Sequence, residues 1–203
     1  LYEYFKNNLW QTINDLSGND RYTENISAVY FRYTTRFRNN FSLALGLRGE
    51  YTYAVPSTNS TMVADKQNYF SLFPSFNLSM PLNEKQSQMF VLSYNRRIRR
   101  PSFWTLVPVR TPISETSYQV GNPKLQPVFA NDINFSWIFG RKYSLNLGVQ
   151  IRKDDIAQVM ERASDNSDMI AFMFKNISNS TQWYANLSLP AQITPWWGMT
   201  TNL

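Results

Sequence analysis

Long stretches of this chain alternate apolar and polar residues. In Phe41–Tyr53, Phe41, Leu43, Leu45, Leu47, Tyr51 and Tyr53 fall on one parity, while Ser42, Ala44, Gly46, Arg48, Glu50 and Thr52 fall on the other. A period of two is the signature of a strand with one apolar and one polar face. The pattern recurs. Ile26–Phe37 places Val29, Phe31, Tyr33 and Phe37 together, and Tyr69–Met80 does the same with Phe70, Leu72, Phe76, Leu78 and Met80. Gln88–Arg100 sets Phe90, Leu92, Tyr94 and Ile98 against Ser93, Asn95, Arg97 and Arg99. Val128–Gly140 groups Phe129, Ile133, Phe135, Trp137 and Phe139, and the very long stretches Tyr143–Ala163 and Met169–Ile193 follow. The prediction is about eight long strands, a partial element after an irregular start, and turns at "LSGND", "RNN", "PLNEKQ", "GRK" and "SDNSD".

The strands are too long for an ordinary globular domain, where about 5–6 residues are usual. Their connections alternate in length. Arg38–Asn40, Pro81–Ser87 and Gly140–Lys142 are short, whereas Val55–Asn68 and Pro101–Pro127 are long. Outer-membrane barrels have this alternation, with short periplasmic turns and longer outside loops. The strand ending at Arg100 then runs outward and the one beginning at Val128 runs inward. Aromatic residues flank the short turns: Phe37 and Phe41, then Trp137, Phe139 and Tyr143, then Trp196 and Trp197. Rings placed at the ends of an apolar band form an interfacial girdle. The reading is an all-β antiparallel transmembrane β-barrel segment, in one domain over residues 1–203. Its apolar face meets lipid and its polar face lines a wet lumen.

Composition narrows the chemistry. The 203 residues include no Cys and no His, which removes disulfides, thiolate sites, common zinc and haem ligand sets, and Ser-His-Asp or Cys-His catalysts. No cofactor is expected and the chain reads as no enzyme. A carboxylate glycosidase would need two acids facing one cleft, and no such pair is evident. Mean hydropathy is −0.41, and no apolar run approaches the roughly 18 residues of a membrane helix. Neither fact bears on a barrel, whose alternate residues face water. The net charge of +6 favours an anionic partner, yet no nucleic-acid motif accompanies it. Asn-Xaa-Ser/Thr triplets at Asn77, Asn134 and Asn186 fall on the polar parity of strands. A lumen wall rich in Asn and Ser produces them without any glycan.

Two segments, "LSYNRRIRRPSFWTLVP" and "YQVGNPKLQPVFANDINFSW", carry a resemblance to a known family. Together they look like the barrel of TonB-dependent outer-membrane receptors, in which a strand ending in Arg-Arg-Pro is followed by a Gly-Asn-Pro-x-Leu-x-Pro element. Here that element is Gly121, Asn122, Pro123, Leu125 and Pro127, and Val128 stands where the family often has Glu. "RYTENISAVYFRY" and "LALGLRGEYTY" are similar to two further strands of the family, so the match runs from about Arg21 to Ala163. The resemblance implies a larger barrel of the bacterial outer membrane, filled by a plug. It implies import of a siderophore, glycan or similar ligand, with energy delivered by the TonB complex through an N-terminal part. Outer-membrane lipid and lipopolysaccharide, the rest of the barrel and a surface lipoprotein are the implied partners, with no nucleic acid. The termini "LYEYFKNNLW" and "WWGMTTNL" read as mid-chain, without a signal peptide or a TonB box, so a fragment is expected. A small passive porin-like or structural barrel and a soluble β-sandwich binding module are the competing readings.

Candidate ligand contacts are Arg97 and Arg99, on the polar face near the outer end of an outward strand, and Phe103 and Trp104 in the loop beyond. Arg96 and Arg100 are expected on the opposite face, towards lipid phosphates at the rim. Rim charges that are merely solvated, and rings that cover the loop's own core, are the blander alternatives. Asn122 and Pro123 are expected to shape the loop's return into the next strand.

Overall fold

The computed structural model describes residues 3–6, 9–12, 21–38, 40–57, 66–83, 85, 87–163 and 168–203. In chain order the elements are β1 (Glu3–Lys6), β2 (Leu9–Thr12), β3 (Arg21–Arg36), β4 (Ser42–Ser57), β5 (Gln67–Pro81) and β6 (Gln88–Arg99). There follow α1 (Phe103–Leu106), β7 (Thr111–Ser114), β8 (Ser117–Val120), β9 (Val128–Phe139) and β10 (Tyr143–Lys153). The last four are β11 (Ile156–Arg162), β12 (Ile170–Asn176), β13 (Ser180–Thr194) and β14 (Trp197–Asn202).

Eight of these strands form one antiparallel sheet in the order β14-β13-β10-β9-β6-β5-β4-β3. Chain neighbours pair wherever a short turn joins them. At the β9–β10 turn Gly140 and Arg141 have φ of 60° and 57°, and Lys142 N donates to Phe139 O across them. Two consecutive left-handed residues match the right-handed twist of the flanking strands, which is why such turns close hairpins.

The registers put the alternation to work. Leu43 lies opposite Leu78, Leu78 opposite Leu92, Leu92 opposite Phe135 and Phe135 opposite Leu147. The adjacent row on the other face runs Ala44, Asn77, Ser93, Asn134 and Gly148. Along these rows one face is therefore apolar and the other small or polar, as the alternation predicts. The apolar face is bare: Val29 is 80% exposed, Trp183 77% and Phe31 67%. A contiguous apolar face of this size is not left in water by a soluble domain. Strands β3 and β4 have 16 residues each, more than the roughly 9–11 that cross a bilayer. Rings crowd the short-turn end, with Trp137 4.9 Å from Phe139, Phe139 5.1 Å from Tyr143, and Phe37 5.1 Å from Phe41.

Several details correct the reading from sequence. The first stretch is not wholly irregular, since β1 and β2 form a hairpin; "LSGND" lies outside the described residues. Tyr143–Ala163 is two strands. The chain leaves the large sheet at Asp154, which takes a left-handed φ of 57°, a conformation short polar Asp tolerates better than most residues. Met169–Ile193 is likewise divided, at Ile177–Asn179, into β12 and β13. The longest connection is ordered: it holds the single turn α1 and the β7–β8 hairpin. Strand β8 then pairs in parallel with β12, giving a second sheet in the order β11-β12-β8-β7. Non-local pairing of this kind leaves no mark in local periodicity. The small core of that sheet is Tyr118, Val120, Ala163 and Ala171, with Met169 and Met173 packed on it.

Candidate functional site

The polar face changes character along its depth. Towards the short turns it carries Ser42, Ala44, Asn77, Ser79, Ser93, Asn134, Ser136, Asn146 and Gly148, which are neutral and mostly small, with Arg36 of β3 opposite Ser42 as a charged exception. Towards the long loops it is ionic. Arg97 donates from Nε to Asp132 Oδ2 at 2.9 Å, and its Nη2 lies 2.7 Å from the same oxygen. Gln150 Nε2 donates to the other oxygen at 2.5 Å. Both carboxylate oxygens of Asp132 are thus satisfied, as burial of a charge requires.

The neighbouring cluster has the same form. Arg99 Nη2 donates to Asp155 Oδ1 at 2.7 Å, and Ser180 Oγ and Arg152 Nη1 donate to Oδ2 at 2.9 and 3.4 Å. The Ile156 amide completes the set at 3.0 Å. Asp155 sits at the point where β10 leaves the large sheet, outside the spanning strands. Burial raises its pKa, but the hydrogen bonds from Ser180 and Ile156 and the Arg152 charge outweigh it, so the carboxyl lies below its ordinary value.

A third cluster centres on Glu50. Arg48 approaches one oxygen at 2.5 Å and Arg100 Nη2 donates to the other at 2.7 Å. Arg100 also donates to Thr52 Oγ1 at 3.0 Å and approaches Glu24 at 3.3 Å. This corrects the expectation for Arg100. It follows β6 rather than belonging to it, so the strand's alternation no longer directs it, and it lies across the lumenal wall instead of reaching lipid. Arg96 keeps the expected apolar-face register and stacks over Phe129, 4.9 Å from the ring centre.

The three clusters share one electrostatic arrangement. The acid side chains Glu50, Asp132 and Asp155 are only 5%, 4% and 12% exposed, whereas Arg48, Arg97 and Arg99 are 54%, 64% and 61% exposed. The carboxylates lie beneath and the guanidinium groups face the lumen. Balanced pairs therefore present a cationic surface, held in place by buried acids. Beside it, Gly46 leaves room in a cavity of about 800 Å³, whose lining includes Tyr30, Arg32, Arg48, Phe73, Asn77 and Asn95. A Cβ on Gly46 would stand 2.5 Å from Ser75 Oγ.

Of the residues singled out from sequence, Arg97 and Arg99 share this wall. Phe103 and Trp104 pack against one another, 5.4 Å apart and edge to face, on α1. Trp104 is 78% exposed, and neither ring belongs to the loop-sheet core. The Gly121–Pro127 element is a junction. Gly121 N donates to Val107 O and Asn122 N to Thr105 O, while Asn122 Nδ2 donates to Phe174 O. Asn176 Oδ1 accepts from Gln126 N, and its Nδ2 donates to Gln126 O and Asp154 O. Leu125 is fully buried, and its carbonyl accepts from Gln67. Glu50, Asp132, Gln150, Arg152 and Asp155 were not singled out from sequence. Glu50, Asp132 and Arg152 were signalled as charges on polar parities, whereas Gln150 is neutral and Asp155 falls on the apolar parity, and only the register pairs them.

Comparison with known proteins places this geometry. The model of the outer membrane protein beta-barrel family matches residues 1–203. No curated protein matches the chain significantly. Among solved structures, the siderophore receptor PirA from Pseudomonas aeruginosa is similar, at 14% identity and a TM-score of 0.59, over 89% of this chain and 42% of that one. The copper transporter OprC is similar at 14% identity and a TM-score of 0.68, over 89% of this chain and 28% of its own. The hemophore receptor HasR of Serratia marcescens, solved with its hemophore HasA and heme, gives 14% identity and 0.59, over 82% and 32%. The likeness is one of fold, and the chain spans well under half of each.

Proposed function

Because the chain belongs to the outer membrane protein beta-barrel family, and so to the bacterial outer membrane, we propose that it forms part of the barrel wall of a TonB-dependent receptor. In this reading the receptor imports a ligand such as a siderophore or glycan and performs no catalysis. The observation that carries it is the cationic outer half of the lumenal wall, set above a half that is rich in Asn and Ser from β4 to β10. A ligand with anionic groups is drawn to Arg48, Arg97 and Arg99, with Phe103 and Trp104 as aromatic contacts from the loop, and then meets a wall with fewer charges, which keeps Arg36 on β3. That the similar structures include a siderophore receptor, a copper transporter and a hemophore receptor supports transport as the role.

A plug, the TonB complex and a surface lipoprotein complete the proposal as partners. The two outer edges of the large sheet, on β3 and β14, have no pairing partner among the described residues. Hydrocarbon does not tolerate unpaired edges, and in this reading further strands of the larger barrel pair with them. The test is the intact mass of the native polypeptide from an outer-membrane fraction, followed by ligand uptake with and without proton-motive force. The reading expects a mass several times 23.8 kDa and energised uptake that Arg97→Ala and Arg99→Ala reduce. A mass near 23.8 kDa, or uptake indifferent to energy, would overturn it in favour of a small passive barrel.

A further inference from the structure

Below the three ionic clusters the lumenal wall carries two further cations that none of the cluster acids reaches. The registers set Tyr30, Arg48 and Phe73 in one row, and Arg32, Gly46, Ser75 and Asn95 in the next towards the short turns. Two rows lower, Arg36 lies opposite Ser42. Among the described residues neither Arg32 nor Arg36 forms an ion pair. Arg32 is four residues of strand, about 13 Å, from the row of Glu50, which already holds Arg48 and Arg100. Asp132 shares the row of Arg32 but lies four strands away, about 19 Å, and holds Arg97 and Gln150.

Arg32 and Arg48 both line the cavity of about 800 Å³, most of whose lining is of lumenal parity. Ala44 and Gly46 keep its floor low, and a side chain at position 46 would collide with Ser75. Ser75, Asn77 and Asn95 line the side away from β3, and the first two are exposed there. The lining holds two arginines and no Asp or Glu. Guanidinium forks take carboxylate or phosphate groups through paired hydrogen bonds. Amides and hydroxyls both donate and accept, which suits the neutral polar groups around an anion. An arginine paired with an acid keeps little net field, whereas an unopposed one leaves a positive potential in the water beside it.

We propose that this cavity is a second oxyanion subsite, below the outer clusters, for an imported ligand that carries carboxylate or phosphate groups. Arg32 takes one such group, Arg48 shares it or takes another, and the Asn and Ser side chains hold the polar remainder. The proposal rests on the import reading above and deepens it. A ligand leaving Arg97 and Arg99 meets its next unopposed cation on β3, so its path follows β3 and β4 rather than the neutral wall of β9 and β10 at that depth. A carboxylate of the plug has the same chemistry and would fill the seat from within; access of small reagents separates the two.

The experiment places a thiol at the cavity of the intact receptor, purified in detergent, and compares two methanethiosulfonate reagents, the anionic ethylsulfonate and the cationic ethyltrimethylammonium. The 203 residues contain no Cys, so Ala44→Cys, diagonal to Arg32 in the register, brings the first thiol to this part of the wall. Relative to their rates with a free thiol, the anionic reagent is expected to react faster than the cationic one. Arg32→Gln should lower that ratio about three-fold, the effect of one charge about 8 Å away in screened water. Lys175→Gln, on β12 of the loop sheet, should leave it unchanged. Succinate or glycerol phosphate should slow labelling, the stronger of the two naming the group, and neutral succinamide should not. Equal rates for the two reagents overturn the proposal, as does a ratio indifferent to Arg32→Gln. Protection that succinamide matches, or none by either anion, also overturns it. Asn77→Cys, exposed and opposite Ala44, repeats the measurement if the first variant fails to fold. A thiol that neither reagent reaches at both positions counts against the proposal too, because the plug then fills the seat. The ratio is read without transport, so its failure stands apart from a failure of energised uptake.

Discussion

At the scale of single residues, the lumenal wall depends on acids that were not conspicuous in the sequence. Asp155 is the most informative, because its folded pKa is depressed below the ordinary 3.8. A group depressed on folding contributes stability that is fully present above the unfolded pKa and is lost as pH falls through the folded value. Amide protection at the β10–β11 and β12–β13 junctions, corrected for intrinsic exchange, should therefore be flat from neutral pH down to about 5 and fall only below about 4. Asp155→Asn should raise exchange at neutral pH and flatten that dependence. Gly121 is a second critical position. A Cβ there would stand 2.1 Å from Val107 O, and that atom is backbone with nowhere to go. Gly121→Ala should cost about 1–3 kcal/mol, as overpacking does, and should appear as new protease sensitivity between Pro101 and Val120.

At the scale of elements, the two outer loops behave as one body. The parallel pairing of β8 with β12 joins segments that are 50 or more residues apart, and Asn122 and Asn176 tie the return element to both. Asn176→Ala removes three hydrogen bonds, a local loss of about 2–4 kcal/mol. Exchange should rise together in residues 120–127 and 170–176, with the spanning strands unaffected; a rise in only one of the two would mean that the loops are independent. Pro74 shows how an element boundary is written into a residue. Pairing of β5 with β6 stops at Ser75–Asn95, one position before a residue that has no N–H to give. Beyond it the strands part, and Phe73 stacks with Phe129 at 6.5 Å.

At the scale of the molecule, the division of faces predicts how substitutions are received. Leu147 lies mid-strand on the apolar face, and Leu147→Arg should cost about 2–4 kcal/mol of folding free energy in bilayers, with loss of the heat-modifiable folded band. Asn77→Arg, on the opposite face one row away, should leave assembly within about 0.5 kcal/mol of the unaltered protein. Equal effects from the two would mean that the faces do not meet different solvents.

Periodicity alone determined the architecture. A strand's side chains alternate with a period of two whatever surrounds it, so Val29, Phe31 and Tyr33, or Phe135 and Trp137, mark the lipid face in the sequence itself. Turn chemistry did the same for Gly140–Lys142, where the short connection and the flanking rings marked one end of the barrel. The Gly-Asn-Pro element was also legible as a fixed loop return, though not its reach to Asn176. What tertiary structure alone decided are the features that join distant segments: the break at Asp154, the parallel β8–β12 pairing, the inward turn of Arg100, and the partnering of Arg97 with Asp132 and Arg99 with Asp155. The physical reason is common to all of them. Local alternation sets which way a side chain points, but which charge it meets depends on the register of another strand, and that is settled only when the whole sheet assembles.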